Sequence, residues 1–160
     1  MSIVINVGMA DFKTAKNPDL LMTVGLGSCI GICLFDTVLK IGGMAHIMLP
    51  SANGSKTGNL AKYADTALDL LLKEIMHIGG NKLRLRAKIA GGAQMFSFPG
   101  KQTVLNIGER NSQAVEKELK RLSIPILATD VGGNFGRTIH FAVGTGDLRV
   151  RTINHGEKVI

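Results

Sequence analysis

Twenty of the 160 residues are glycine, and they cluster in close pairs such as Gly25/Gly27, Gly42/Gly43, Gly79/Gly80, Gly91/Gly92 and Gly132/Gly133. Glycine weakens the interior of a helix and eases turns and positive φ, so such pairs punctuate a chain of short extended runs. Between them the apolar residues give strands at Ser2–Gly8, Leu20–Val24 and Cys29–Phe35, and an extended run over Val38–Leu49 interrupted at Gly42-Gly43 and closed by Pro50. Leu60, Ala64, Ala67, Leu68, Leu71, Ile75 and Ile78 recur at helical spacing up to Gly79-Gly80. Leu83, Leu85, Ala87 and Ile89 alternate with Arg84, Arg86 and Lys88, which predicts a strand with one face buried and one facing solvent. A second helix is expected from about Asn106 to Leu122, with Asn106 and Glu109 spaced as a capping box. Strands at Pro125–Thr129, Arg137–Val143 and Asp147–Thr152 follow, the last two joined by a Gly144-Thr145-Gly146 turn, and the final few residues are expected to fray. These elements predict a β-rich α/β fold, with about two helices packed on a sheet face.

A chain of 160 residues is expected to form one domain over residues 1–160. Its 45% hydrophobic and 19% charged content suits a packed interior and argues against disorder. The net charge of +7 permits nucleic acid, a membrane surface or an acidic protein as partner. Nucleic acid is disfavoured because the Lys and Arg residues are scattered, with no Trp and one Tyr to stack bases. No apolar run approaches the ~18 residues of a membrane-spanning helix, and the N-terminus lacks the pattern of a signal peptide. The expectation is a cytoplasmic protein without direct membrane insertion.

The cysteines are Cys29 and Cys33. On one strand their Cα atoms would stand ~13 Å apart, beyond the ~7 Å limit for a disulfide. No metal is expected, since this pair has no second ligand pair downstream and His46, His77, His140 and His155 are spread singly. Acyl-transfer chemistry needs a thiol, a base and amide donors for an oxyanion. Gly25-Leu26-Gly27-Ser28-Cys29 offers small residues and backbone N–H groups beside a thiol, with Gly27 and Ser28 as candidate oxyanion and substrate contacts. His46 stands in an apolar strand where an imidazole is conspicuous, and Thr23 lies six residues before the cysteine. If the three strands are neighbours, these side chains form a nucleophile, a base and an orienter. A reactive Cys29 would be alkylated at lower pH than free cysteine. Read from spacing alone, the same residues also fit a core: a small buried thiol, a hydrogen-bonded histidine and a strand threonine.

Several longer motifs bear on that choice: Gly25-Leu26-Gly27-Ser28-Cys29, Ala45-His46-Ile47-Met48-Leu49-Pro50, Lys62-Tyr63-Ala64-Asp65, Ile89-Ala90-Gly91-Gly92-Ala93-Gln94-Met95-Phe96, Asn106-Ile107-Gly108-Glu109-Arg110-Asn111 and Asp130-Val131-Gly132-Gly133-Asn134. Together they resemble the chemoreceptor glutamine deamidases of the CheD family over nearly the whole chain. The resemblance implies a three-layer α/β sandwich similar to the catalytic domain of cytotoxic necrotizing factor toxins. It implies a catalytic triad at Cys29, His46 and Thr23, no cofactor, and conversion of chemoreceptor glutamines to glutamate through a cysteine thioester, with glutamyl methyl ester hydrolysis as a further activity. A CheC-type phosphatase is the implied regulatory partner. The competing reading is a non-catalytic module that regulates the chemoreceptor–kinase complex or a CheC-type phosphatase.

Other features carry less. Gly54-Ser55-Lys56-Thr57 ends like a phosphate-binding loop, but Ser55 and Pro50 stand where that motif needs glycines. Phe96 and Phe98 flank Ser97 before a Pro-Gly pair and are candidates for partner contact or for capping the core.

Overall fold

In the computed structural model, the described residues are 1–95 and 106–160; Phe96 and Phe98 lie outside them. The order is β1 (Val4–Asn6), β2 (Asp11–Lys16), β3 (Leu20–Leu26), β4 (Ile30–Asp36), β5 (Ile41–Ile47), α1 (Ala64–His77), β6 (Leu85–Gly91), α2 (Ile107–Arg121), β7 (Ile126–Val131), β8 (Arg137–Ala142), β9 (Leu148–Thr152) and β10 (Gly156–Val159). The strands make two mixed sheets. A central sheet runs β2-β5-β4-β6-β7 and an outer sheet runs β1-β3-β8-β9-β10. Every residue of β4 and β5 is buried, the mark of strands covered on both faces.

Alternation along β4 explains the layering. Ile30, Ile32 and Leu34 point to one face, where they pack with Leu68, Leu71 and Ile75 of α1 and Val115 and Leu119 of α2. Cys33 and Phe35 point to the other, where they meet Leu21, Ile139, Phe141 and Val150 of the outer sheet. The result is helices, central sheet and outer sheet, a three-layer α/β sandwich with two cores. Each fully buried Leu or Ile contributes about 1.5–3 kcal/mol of hydrophobic stabilisation.

Both helices follow their sequence signals. The Asn106 side chain accepts from Glu109 N–H at 3.2 Å to start α2. Ser123, at φ +58, stands in the left-handed position past its end, and Ile124 N–H closes back on Leu119 O at 2.9 Å. Helix α1 stops at Gly79, φ +109, with Gly80 N–H on Ile75 O at 2.9 Å.

Several features differ from the sequence expectation: Leu83, expected on the buried face of a strand, lies before β6 and is exposed, and four others differ for a packing reason. Gly42 and Gly43 do not interrupt an extended run; they lie inside β5, because a Cβ on Gly42 would stand 2.4 Å from Leu34 O and one on Gly43 2.5 Å from Leu71 Cδ1. Strand β2, sequence Asp-Phe-Lys-Thr-Ala-Lys, pairs antiparallel with β5 although its apolar content is too low for a clear signal. The tail does not fray: β10 pairs with β9, and Ile160 N–H and Leu148 O close its end at 2.9 Å. Lys88 leaves the solvent pattern of β6, because its Nζ donates to Gly146 O at 2.6 Å and Ile160 O at 2.8 Å at the rim of the inter-sheet core.

Candidate active site

The inter-sheet core is closed at one end by polar groups. Thr23, on β3 of the outer sheet, and His46, on β5 of the central sheet, are both fully buried, and Thr23 Oγ1 lies 2.7 Å from His46 Nδ1. The same hydroxyl lies 2.6 Å from Val7 O. A hydroxyl has one hydrogen and a carbonyl can only accept, so Thr23 donates to Val7 O and accepts from His46 Nδ1–H. That leaves the lone pair of the neutral ring on Nε2, which is buried and has no hydrogen-bond partner among the described residues. Burial lowers the His46 pKa from 6.5 to about 4, so the ring is neutral at pH 7.

Cys29 is the residue just before β4. The β4–β5 register places Gly31 opposite His46, so Cys29, two positions earlier, lies on the same face and diagonal to the ring. Diagonal pairs within a ladder have Cα atoms ~7–8 Å apart; Cys29 lies one residue past the ladder's end, and His46 Nε2 has no hydrogen bond to its thiol. Cys29 is 8% exposed and Cys33 0%, so of the two thiols only the first borders solvent. Both are free. Burial raises the Cys29 pKa, and its own backbone N–H offsets part of that rise. The expected shift to lower pH is therefore reversed: the resting pair is a thiol and a neutral imidazole, not an ion pair. Cys33, wholly enclosed, is pushed far above the ordinary thiol range.

The loop before Cys29 is shaped by a bulge in β3 between Thr23 and Leu26, where Gly25 takes φ +73. Gly27 N–H is engaged by Gly25 O at 3.0 Å, and Gly27 O accepts from Ala93 N–H at 2.8 Å. The Ser28 and Cys29 N–H groups have no backbone acceptor among the described residues. Gly27 thus builds the turn, and the donors left without a backbone acceptor belong to the next two residues. On the α2 side, Gly92, Gln94, Ser112, Gln113, Glu116 and Gly133 line a groove of about 370 Å³, whose lining includes neither Cys29 nor His46. A thiol at a solvent border, an imidazole with a fixed tautomer and unpaired amide donors are the working parts of acyl transfer.

Two residues of this region escape a reading of the sequence alone. Asn111 Nδ2 donates to Ser28 O and Met48 O, both at 2.9 Å. Its signal is positional: Asn111, Val115 and Leu119 repeat every four residues on the buried stripe of α2. Arg137, at the start of β8, pairs with Asp130 at 3.1 Å and donates to Gly91 O at 3.3 Å, tying the outer sheet to the turn behind Cys29. Its arginine reads as surface because its carboxylate partner is seven residues away across a glycine turn. Among the described residues no group of His, Cys, Asp and Glu is placed to hold a metal ion, and no helix is long and apolar enough to cross a membrane.

The fold and these side chains define an α/β sandwich equipped for chemistry of the acyl-transfer type. The model of the family described as "CheD chemotactic sensory transduction" matches residues 48–152. A "Probable chemoreceptor glutamine deamidase CheD" of Desulfitobacterium hafniense is 71% identical over 160 residues, covering 100% of both chains. The "Chemoreceptor glutamine deamidase CheD" of Halalkalibacterium halodurans is 56% identical over 162 residues, again covering 100% of both. The chain belongs to the CheD family. The crystal structure of Bacillus licheniformis hypothetical protein YfiH is 17% identical and superposes with a TM-score of 0.42 over 74% of this chain and 49% of that one, a likeness too slight to add to the fold already described.

Proposed function

We propose that this protein is a chemoreceptor glutamine deamidase in which Cys29 is the nucleophile, His46 the base and Thr23 the residue that orients it. The observation that carries the reading is His46 Nε2, a buried lone pair with no partner, on a ring whose other nitrogen is committed to Thr23. Buried polar atoms are normally paired, so an unpaired acceptor diagonal to a thiol is accounted for by a proton it is there to receive. A non-catalytic module has no use for it. The relatives, chemoreceptor glutamine deamidases by name, supply the substrate class, and the net charge of +7 suits acidic receptor helices.

His46 Nε2 takes the Cys29 proton as the sulfur bonds to the glutamine carboxamide carbon, and the oxygen charge that develops is met by Ser28 and Cys29 N–H. The protonated ring gives its proton to the amide nitrogen; the C–N bond breaks and ammonia leaves a thioester. Water, deprotonated by the same nitrogen, cleaves the C–S bond to give glutamate and restore the thiol. A glutamyl methyl ester would follow the same route with methanol as the leaving group. On this reading the enzyme works in the cytoplasm, with a CheC-type phosphatase as its regulatory partner.

The test is mass spectrometry of a purified chemoreceptor cytoplasmic fragment after incubation with the protein. Conversion of glutamine to glutamate should occur with wild type and vanish with Cys29→Ala and His46→Ala, each checked for an unchanged circular dichroism spectrum. Full activity in folded Cys29→Ala would refute the nucleophile assignment.

A further inference from the structure

Asn111 sits where β4 and β5 part. Their ladder ends at Ile30 opposite Ile47, and beyond it Met48 N–H turns away to Lys62 O at 2.8 Å. The carbonyls of Ser28 and Met48, just past the last pair, both accept from Asn111 Nδ2. Two carbonyl partners fix which end of the side-chain amide is nitrogen. The side chain is fully buried, and its Oδ1 has no partner among the described residues. An apolar residue at this depth would carry no orphaned oxygen, so the core alone does not account for asparagine here.

What the amide achieves follows from the planarity of the peptide bond. The Ser28 carbonyl and the Cys29 N–H belong to one trans peptide and point in opposite directions. Holding Ser28 O against α2 therefore turns Cys29 N–H away from α2. That N–H is one of the two loop donors without a backbone acceptor among the described residues. The clamp also acts from the helix side of the central sheet, while the Cys29 side chain packs on the other face, so it leaves the approach to the thiol open.

We propose that Asn111 is a positioning residue for the deamidation: by holding the Ser28 and Met48 carbonyls at the fork of β4 and β5, it aims the Cys29 N–H at the oxyanion of the reaction. The inference rests on the deamidase reading and adds to it a residue that does not touch the substrate. Its signature separates it from a merely structural role. Amide hydrolysis develops an oxyanion, whereas alkylation of a thiol by iodoacetamide does not. Loss of the clamp should therefore slow the first and spare the second.

The experiment compares wild type with Asn111→Ala and Asn111→Ser, using the chemoreceptor fragment for deamidation and iodoacetamide for Cys29. In folded Asn111→Ala, kcat should fall on the order of 10²-fold, as for loss of one oxyanion donor, with KM within about threefold and the rate and pH profile of Cys29 alkylation unchanged. Asn111→Ser, which keeps one donor, should lose less. Unchanged kcat in Asn111→Ala, or parallel loss of kcat and alkylation, overturns the inference. Wild type that deamidates nothing overturns the deamidase reading instead, so the two failures are distinguishable. Proton exchange of the Asn111 side-chain amide in wild type, followed by NMR, is independent of whether any variant folds: slow exchange is expected, and exchange as fast as that of an exposed asparagine removes the clamp.

Discussion

Thr23 and His46 come from different sheets and meet at 2.7 Å across the inter-sheet core, so the proposed base is oriented by a residue from the opposite layer and not by a neighbour in its own strand. Replacing Thr23 by Val keeps the shape but removes both bonds of the hydroxyl. His46 Nδ1–H and Val7 O are then left buried and unpaired, at a cost of about 1–3 kcal/mol. The ring is also free to rotate or change tautomer, and kcat should fall about tenfold to 100-fold, less than for His46→Ala. Urea unfolding and initial deamidation rates measure the two effects. Wild-type kcat in Thr23→Val would show that the hydroxyl has no part in orienting the base.

The pH dependence should carry the mark of the buried ring. The acid limb of kcat/KM is expected near pH 4, where His46 takes a proton in the folded protein, and not near its ordinary 6.5. Stability follows the same group. In the unfolded chain the imidazole is protonated below about 6.5, but in the fold only below about 4, so acid favours unfolding between those values. The stabilisation is complete above pH 6.5, is lost as pH falls from 6.5 to 4, and changes no further below that, by at most about 3 kcal/mol in all. His46→Gln should remove this component from the difference between unfolding curves at pH 7.5 and pH 4.5. An acid limb near 6.5 in the wild type would show that the base is not this enclosed ring.

The strands that form the middle of the central sheet were legible because they are buried on both faces. Ile30–Leu34 reads as an unbroken apolar run, and that run is β4. Helix α2 was legible from Asn106 and Glu109, whose side chains meet in the cap. Strand partnership was not. Periodicity states which face of Thr23 or His46 is buried but not which sheet each strand joins, and the contact between them exists only because β3 lies in the outer layer. Strand β2 escaped because Lys13 and Lys16 sit on an edge where charge is tolerated. The roles of Cys29, His46 and Thr23 were suggested by whole motifs; single-residue chemistry fitted a core better. Asn111 was hidden by its type, since a polar residue on a helix reads as exposed until the stripe it shares with Val115 and Leu119 is followed.

Two glycines separate strain from obstruction. A Cβ at Gly91, φ +116, would stand 2.2 Å from Cys29 O, whereas at Gly132, φ +89, it would meet nothing within 4 Å. Gly132→Ala should cost only the backbone strain of its left-handed conformation, about 1–2 kcal/mol, with activity retained. Gly91→Ala adds displacement of the Cys29 carbonyl, which must also keep its 2.8 Å bond from Gly92 N–H. A loss of more than about 3 kcal/mol is expected, with deamidation abolished in whatever fraction folds. Thermal unfolding with activity below the transition distinguishes the variants, and equal behaviour of the two would mean that the Cys29 carbonyl is not held where it stands.

Asp36 provides the opposite dissociation, of stability from chemistry. It ends β4, six residues after Ile30 and so about 20 Å from the thiol end of the strand. Its fully buried carboxylate accepts from Val38 N–H at 3.0 Å, Leu39 N–H at 3.2 Å and Asn81 N–H at 3.1 Å. Arg84 completes the set with Nε at 3.0 Å and Nη2 at 2.8 Å. The Arg84 side chain and these backbone bonds hold the Asp36 pKa far below its ordinary 3.8, outweighing the opposing effect of burial. A depressed carboxylate contributes stability that is fully present above the unfolded value and drains away as pH falls below 3.8. Asp36→Asn keeps the shape but cannot accept from all five donors and leaves Arg84 without its counter-charge. It should cost about 2–4 kcal/mol at pH 7 and flatten the acid limb of stability below pH 4. Because the site lies at the other end of the strand, kcat per folded molecule should stay within about twofold of wild type at a temperature where the variant is fully folded. A matched fall in kcat would mean that the turn after β4 is coupled to Cys29 through the strand.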